Sequence, residues 1–260
     1  MTQSTPDQIE NANVILDQFK QDGYVLMEAL FTADEIVEIN QNIQRVFAEV
    51  LPSMPSELIY YEDPEDKSTL KQLQYFHEYD DYFHKLFTEG RVRKLAECLL
   101  EGEVVPKNIQ WFNKPPKVGQ PTPPHQDGFY FKLNPCEAIT MWLALEPVDE
   151  ENGCVRYIPG SHMEGMRAHN DTNLIGFSQG IIDYGDGDRR EEIAFPAQPG
   201  TLLAHHALTI HRADGNSSPT RTRQALGFIF YAARAIEDKA AHEAYLKKLK
   251  EKLQSEGKIE

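Results

Sequence analysis

A chain of 260 residues with 40% apolar and 10% aromatic content is long enough to bury the core of a single domain. Its formal net charge of −15 sets it against nucleic acid and anionic membrane, which both select a basic footprint. Three cysteines (Cys98, Cys136 and Cys154), at unrelated spacings and with no Cys-x-x-Cys pair, fit small buried hydrophobes in a reducing compartment.

Residues 1–8 read as a frayed polar tail without the basic-then-apolar form of a signal peptide. No apolar run approaches the ~18–20 residues of a membrane span, so a soluble, cytoplasmic protein is expected. Residues 9–21 place Ile9, Ala12, Ile15, Leu16 and Phe19 at helical spacing, and Asp22-Gly23 stops the helix. Tyr24–Met27 reads as a short strand. Thr32 with Glu35 forms a capping box for a helix through Ile36, Ile39, Ile43, Val46 and Phe47. A loop rich in Pro and acidic residues is expected over 52–66, then a helical segment over 80–100. Residues 9–103 therefore read as a mostly helical flank.

From Val104 the pattern changes to strands. Residues 107–113 alternate around Ile109, Trp111 and Asn113, and residues 138–145 form a continuous apolar run, as expected of a strand buried on both faces. Residues 154–158, 201–204 and 225–232 add further strands. Asn152-Gly153, Pro159-Gly160, Pro199-Gly200 and Asp214-Gly215-Asn216 punctuate them as turns. The predicted architecture is α+β with a mainly β jelly-roll core over 104–235. A charged outer helix is expected over 236–260, with no internal repeat and no second domain.

The chemistry-bearing stretch is Pro124-His125-Gln126-Asp127-Gly128. On an extended strand, residues i and i+2 share a face, so His125 and Asp127 can converge on one metal. A histidine returning on a later strand completes a set of two imidazoles and one carboxylate, which suits Fe(II) and leaves open coordination positions; Mn, Co, Ni and Zn bind such sets too. Alone, His-x-Asp also reads as a surface turn, and His205, His206 and His211 compete for the third place.

The ordered series Asn113-Lys-Pro-Pro, Pro124-His125-Gln126-Asp127, Trp142-Leu-Ala-Leu, Asn152-Gly153, Pro159-Gly160-Ser161-His162 and His211…Asn216…Arg223 resembles the phytanoyl-CoA dioxygenase family. These are Fe(II)/2-oxoglutarate oxygenases with a double-stranded β-helix (jelly-roll, cupin-like) core. The resemblance runs from Asp22-Gly23-Tyr24 to about Ala232. It implies that His125, Asp127 and His211 hold the iron, His211 being preferred because Asn216 follows it by five residues. It implies an arginine for the distal carboxylate of 2-oxoglutarate. Arg223 is chosen, with Arg221 in reserve, because a planar fork binds carboxylates bidentately.

Trp142 matches a position lining the co-substrate pocket, Gln110 and Gln126 lie at positions near it, and Gln72 matches a further contact loosely. On a regular strand Gln126 would point away from its neighbours, so a role there requires a strand end or twist. Where the family often has a small hydroxyl residue, this chain has Ala213. Pro159-Gly160-Ser161-His162 reads as a turn. His205 or His206 could support the ligands from behind, although packed or exposed strand residues are the plainer reading.

The resemblance further implies Fe(II), 2-oxoglutarate and O2 as cofactor and co-substrates, with succinate and CO2 released as a C–H bond is hydroxylated. Asp127 favours hydroxylation, since related halogenases carry a small residue there. Residues 163–195 and 52–69 are candidate lid loops. A small-molecule substrate is expected, with no nucleic-acid or membrane partner, in a monomer or homodimer. Acyl-CoA is disfavoured because no clear basic cluster awaits its phosphates. Two alternatives stand beside this reading: a metal-dependent cupin enzyme without 2-oxoglutarate, and a non-catalytic binding module on the same fold.

Overall fold

The computed structural model describes residues 12–172, 179–244, 247 and 251. Its elements, in chain order, begin with α1 (Ala12–Asp22), β1 (Tyr24–Met27), α2 (Ala33–Arg45), β2 (Ile59–Tyr61) and β3 (Leu70–Gln74). Next come α3 (Asp81–Thr88), α4 (Arg91–Leu99), β4 (Val104–Phe112), β5 (Thr122–His125), a single turn α5 (Gly128–Phe131), β6 (Leu133–Asn134) and β7 (Ala138–Ala144). The remainder are β8 (Val155–Tyr157), β9 (His169–Asp171), β10 (Gln179–Ile181), α6 (Asp186–Glu191), β11 (Ile193–Phe195), β12 (Leu202–His206), β13 (His211–Ala213), β14 (Ala225–Ala232) and β15 (Ile236–Glu237).

Two antiparallel sheets make the jelly roll. The larger runs β1-β12-β7-β14-β4-β3-β2 and the smaller β11-β8-β13-β5. The apolar run predicted to be buried on both faces becomes β7, and the predicted strand over 225–232 becomes its neighbour β14: every residue of both is buried. Side chains alternate across a strand, and this splits each run into two surfaces. Ile139, Met141, Leu143, Leu226, Phe228 and Phe230 join one cluster with Phe19 of α1, Ile39 of α2, Phe83 of α3 and Leu95 of α4. The opposite face presents Thr140, Trp142, Ile229 and Tyr231 to a cavity. The helices therefore cover one side of the large sheet and leave the other to the site.

The capping box forms as expected: Thr32 N–H donates to Glu35 Oε2 at 2.8 Å, and Glu35 N–H to Thr32 Oγ1 at 3.3 Å. Several expectations need correction. The N-terminal flank is mostly helical over its described residues, as expected, but it also supplies β1, β2 and β3 to the large sheet. β2 lies inside the region expected as an irregular loop. The expected helix over 80–100 is two helices, separated at Gly90, which has φ +81°. The expected outer helix over 236–260 begins instead with β15 paired to β6, and residues 239–244 are helical. The rest of that segment, apart from 247 and 251, and the tail 1–8 lie outside the described residues. Among the described residues, no helix is long and apolar enough to cross a membrane.

Candidate metal centre and its cavity

β5 and β13 are antiparallel neighbours in which His125 and His211 are direct partners. Their ring centroids are 4.1 Å apart. Each ring is oriented from behind: His125 Nδ1 lies 2.8 Å from Pro123 O and His211 Nδ1 3.0 Å from Thr209 O. A carbonyl can only accept, so both Nδ1 atoms carry the proton and both Nε2 lone pairs are left for a ligand. Backbone partners of this kind commonly set the tautomer of metal-binding histidines.

Asp127 does not lie on the strand, contrary to the same-face expectation. β5 ends at His125, and Asp127 takes right-handed helical geometry (φ −58°, ψ −34°) at the start of α5. The turn, not the strand pleat, brings its carboxylate round. Gly128 permits this close passage, because a Cβ there would meet Cys136 Sγ at 2.4 Å. Asp127 Oδ1 lies 3.4 Å from His125 Nε2 and 3.7 Å from His211 Nε2. Potential ligand atoms of these three residues all fall within 4.8 Å of one another, and they are the only such group among the described residues.

Burial alone would raise the Asp127 pKa, but the surrounding imidazoles of His211, His125 and His205 outweigh it and hold the carboxyl well below its usual range. Burial, reinforced by His125 and His205, pushes His211 well below the ordinary imidazole range. The site thus presents one carboxylate with neutral His211 as donors, a set that fits a divalent cation.

The triad opens into a cavity of about 380 Å3 that also contains Arg223, Trp142 and Gln110. Arg223 is only 5% exposed. Its guanidinium sits over the Trp142 ring at 5.5 Å. Its Nε has no hydrogen-bond partner, and burial pushes its pKa down to about 10. A buried cation with an unspent donor is what an incoming carboxylate would satisfy. Arg221 is elsewhere: it pairs with Asp149 at 2.9 Å and with Glu151, away from the cavity lining. Gln110 Oε1 accepts from Gln72 Nε2 at 3.0 Å, so the loosely matched Gln72 also belongs to the cavity.

Gln126 does not line the cavity. The strand ends beside it, but its fully buried amide is spent on backbone. Nε2 donates to Gly165 O (2.8 Å) and Leu208 O (2.7 Å), and Oε1 accepts from Arg167 N–H (2.8 Å). It straps three segments together behind the triad.

Two groups of residues escaped the sequence reading. The first is a set of lysines beside Arg223. Lys114 exchanges backbone hydrogen bonds with Arg223, and Asn113 N–H donates to Lys71 O. Both lysines line the cavity and are buried. Burial, with Arg223 and Lys71 nearby, drives Lys114 well below its ordinary range. Lys71 is paired with Glu62 at 3.1 Å. No basic cluster was expected, since these residues stand far apart in sequence; the Asn113-Lys-Pro-Pro motif was the one available signal.

The second is the surroundings of Asp127 Oδ2. Thr140 Oγ1 donates to it at 2.5 Å, and His205 Nε2 lies 3.1 Å away. His206, one residue on, points to the other face, near Phe19 and His162. The alternation of β12 thus separates the two histidines that sequence left undecided.

The family model described as Phytanoyl-CoA dioxygenase (PhyH) matches residues 19–225. Phytanoyl-CoA dioxygenase domain-containing protein 1 of Rattus norvegicus is 27% identical over 262 residues, covering 82% of this chain and 87% of that protein. Peroxisomal phytanoyl-CoA dioxygenase of Mus musculus is 26% identical, covering 81% and 66% respectively. Among solved structures, the non-heme alpha-ketoglutarate-dependent carbocyclase SnoK from nogalamycin biosynthesis superposes with a TM-score of 0.72 at 21% identity, covering 95% of this chain and 94% of that one. The epimerase SnoN, solved with Fe3+, alpha-ketoglutarate and nogalamycin RO, gives 0.69 at 23%, covering 88% and 86%. With four-fifths of the chain matched by the family model, this protein belongs to the phytanoyl-CoA dioxygenase family.

Proposed function

We propose that the protein is an Fe(II)- and 2-oxoglutarate-dependent dioxygenase that hydroxylates a C–H bond of a small molecule. One observation carries the reading: the donor set of His125, Asp127 and His211 shares a cavity with Arg223, a buried cation lacking a partner at Nε. A metal site alone would fit many activities. A metal site facing a carboxylate receptor fits a co-substrate that both chelates and carries a distal carboxylate. Family membership and the Fe3+ and alpha-ketoglutarate in the SnoN structure support the same assignment.

The bound iron would supply O2 activation coupled to oxidative decarboxylation of 2-oxoglutarate to succinate and CO2. The protein's own share is positioning. His125 and His211 offer Nε2, Asp127 offers Oδ1, and the backbone carbonyls of Pro123 and Thr209 fix the rings. Arg223 orients the far end of the co-substrate, with Trp142 as its wall and Gln110 beside it. Tyr75, Phe131 and Tyr231 line another part of the cavity and would exclude water from the substrate side.

Lys114 adjoins Arg223 through backbone hydrogen bonds and gives its Nζ to Gln120 O, and Lys71 is paired with Glu62, so the two lysines do not form a separate cluster for acyl-CoA phosphates. A small metabolite therefore remains the proposed substrate in preference to an acyl-CoA. A cupin enzyme without 2-oxoglutarate would have no use for Arg223 in this place. The test is succinate release from 2-oxoglutarate, dependent on added Fe(II), screened across small polar metabolites and acyl-CoAs. Stimulation by a small metabolite is expected; stimulation by acyl-CoAs alone would overturn the substrate class.

A further inference from the structure

A third imidazole stands behind the triad without joining it. His205 is buried, and its Nε2 lies 3.1 Å from Asp127 Oδ2. It falls outside the set of three residues whose donor atoms lie within 4.8 Å of one another. Its polar contact with the triad is to Asp127, while its ring packs against that of His211 with centroids 4.2 Å apart.

The two carboxylate oxygens face different surroundings. Oδ1 looks toward His125 and His211 at 3.4 and 3.7 Å. Oδ2 takes Thr140 Oγ1 at 2.5 Å and His205 Nε2 at 3.1 Å. Thr140 and His205 are direct partners across β7 and β12, so a single rung of the large sheet supplies both groups. His205 is in turn held by Tyr157, whose hydroxyl lies 2.9 Å from Nδ1. A carboxylate only accepts, so Nε2 carries the proton; a neutral ring then takes the Tyr157 O–H at Nδ1. Tyr157 is fully buried and stacked on Tyr24 at 4.8 Å, which leaves this chain of groups little freedom to move.

We infer that His205, together with Thr140, is a positioning residue that keeps Asp127 a one-oxygen ligand. With Oδ2 engaged by two donors, the carboxylate cannot swing to chelate through both oxygens, and a coordination position stays open for co-substrate. The inference rests on the metal reading given above, and Co(II) binding to the apoprotein separates the two. Failure of the wild-type protein to bind Co(II) would sink the metal reading itself.

Given wild-type binding, His205→Leu is expected to weaken Co(II) affinity on the order of tenfold and to change the ligand-field bands as Oδ2 is released. His205→Gln, whose amide N–H can reach Oδ2, is expected to return both within about threefold of wild type. Wild-type affinity and band shape in His205→Leu would overturn the inference, as would a glutamine variant no better than leucine. If His205→Leu does not fold, Thr140→Val takes its place. It removes the other donor to the same oxygen, and unaltered bands there would be equally decisive.

Discussion

His125 and His211 face each other on one rung of the β5–β13 ladder, so the two imidazoles are placed by backbone hydrogen bonding and not by a flexible loop. His206 is only one residue from His205 yet lies on the opposite face of β12. His125→Ala and His211→Ala are each expected to reduce Fe(II)-dependent 2-oxoglutarate turnover to background, while His206→Ala keeps its metal affinity. Turnover assays beside Co(II) titration of the three variants would check this. Metal binding lost in His206→Ala but kept in His211→Ala would contradict the placement.

Arg223 lines the cavity and Arg221 does not. A buried charge-assisted bond costs about 2–5 kcal/mol to break, so Arg223→Leu is expected to raise KM for 2-oxoglutarate on the order of a hundredfold. Arg221 pairs with Asp149 and Glu151 outside the cavity, and Arg221→Ala is expected to leave KM unchanged. Steady-state kinetics with varied 2-oxoglutarate measures both.

Two histidines outside the triad, His77 buried and His206 half-buried, make stability depend on pH. Burial, with the charge of His84, lowers His77 to about 4. Burial, with His162 and His205, lowers His206 to about 4. In the unfolded chain these groups titrate near ~6.5. Their contribution is therefore complete above that value and is lost as pH falls toward 4, because the unfolded state binds the protons first. Between pH 7.5 and 5, His77 should cost about 2 kcal/mol. His77 packs edge-on against Phe87 with ring centroids 4.9 Å apart, so His77→Phe is expected to flatten the slope. Urea unfolding at the two pH values decides; an identical slope in wild type and variant would refute it.

Gly200 enters the strand that carries His205 with φ +91°, and a Cβ there would lie 2.1 Å from Phe31 O. Gly200→Ala is expected to destabilise the fold by about 1–3 kcal/mol, read as a lowered Tm. An unchanged Tm would mean the turn relaxes freely.

The central strands were legible because a continuous apolar run has few other places in a jelly roll: Ala225–Ala232 is found with the expected bounds. β2 and β3 were hidden by their short length and, in β3, by Lys71, Gln72 and Gln74, which line the cavity while Leu70 and Leu73 pack into the core. His125, Asp127, His211, Trp142, Gln110 and Arg223 were legible as an ordered series of motifs, and all line one cavity. Gln126 was misplaced because its neighbours drew attention to the metal while its own amide serves the backbone. The lysines beside Arg223, and Thr140 with His205, depend on which strands become neighbours, which local spacing does not encode.

The most direct test is an anaerobic titration of Fe(II) and 2-oxoglutarate into the apoprotein, followed in the visible region. Wild type should develop the weak metal-to-ligand charge-transfer band of a chelated 2-oxo acid, saturating at one equivalent per chain, and His211→Ala should not. No band in wild type, or the same band in His211→Ala, would contradict the assignment of this centre.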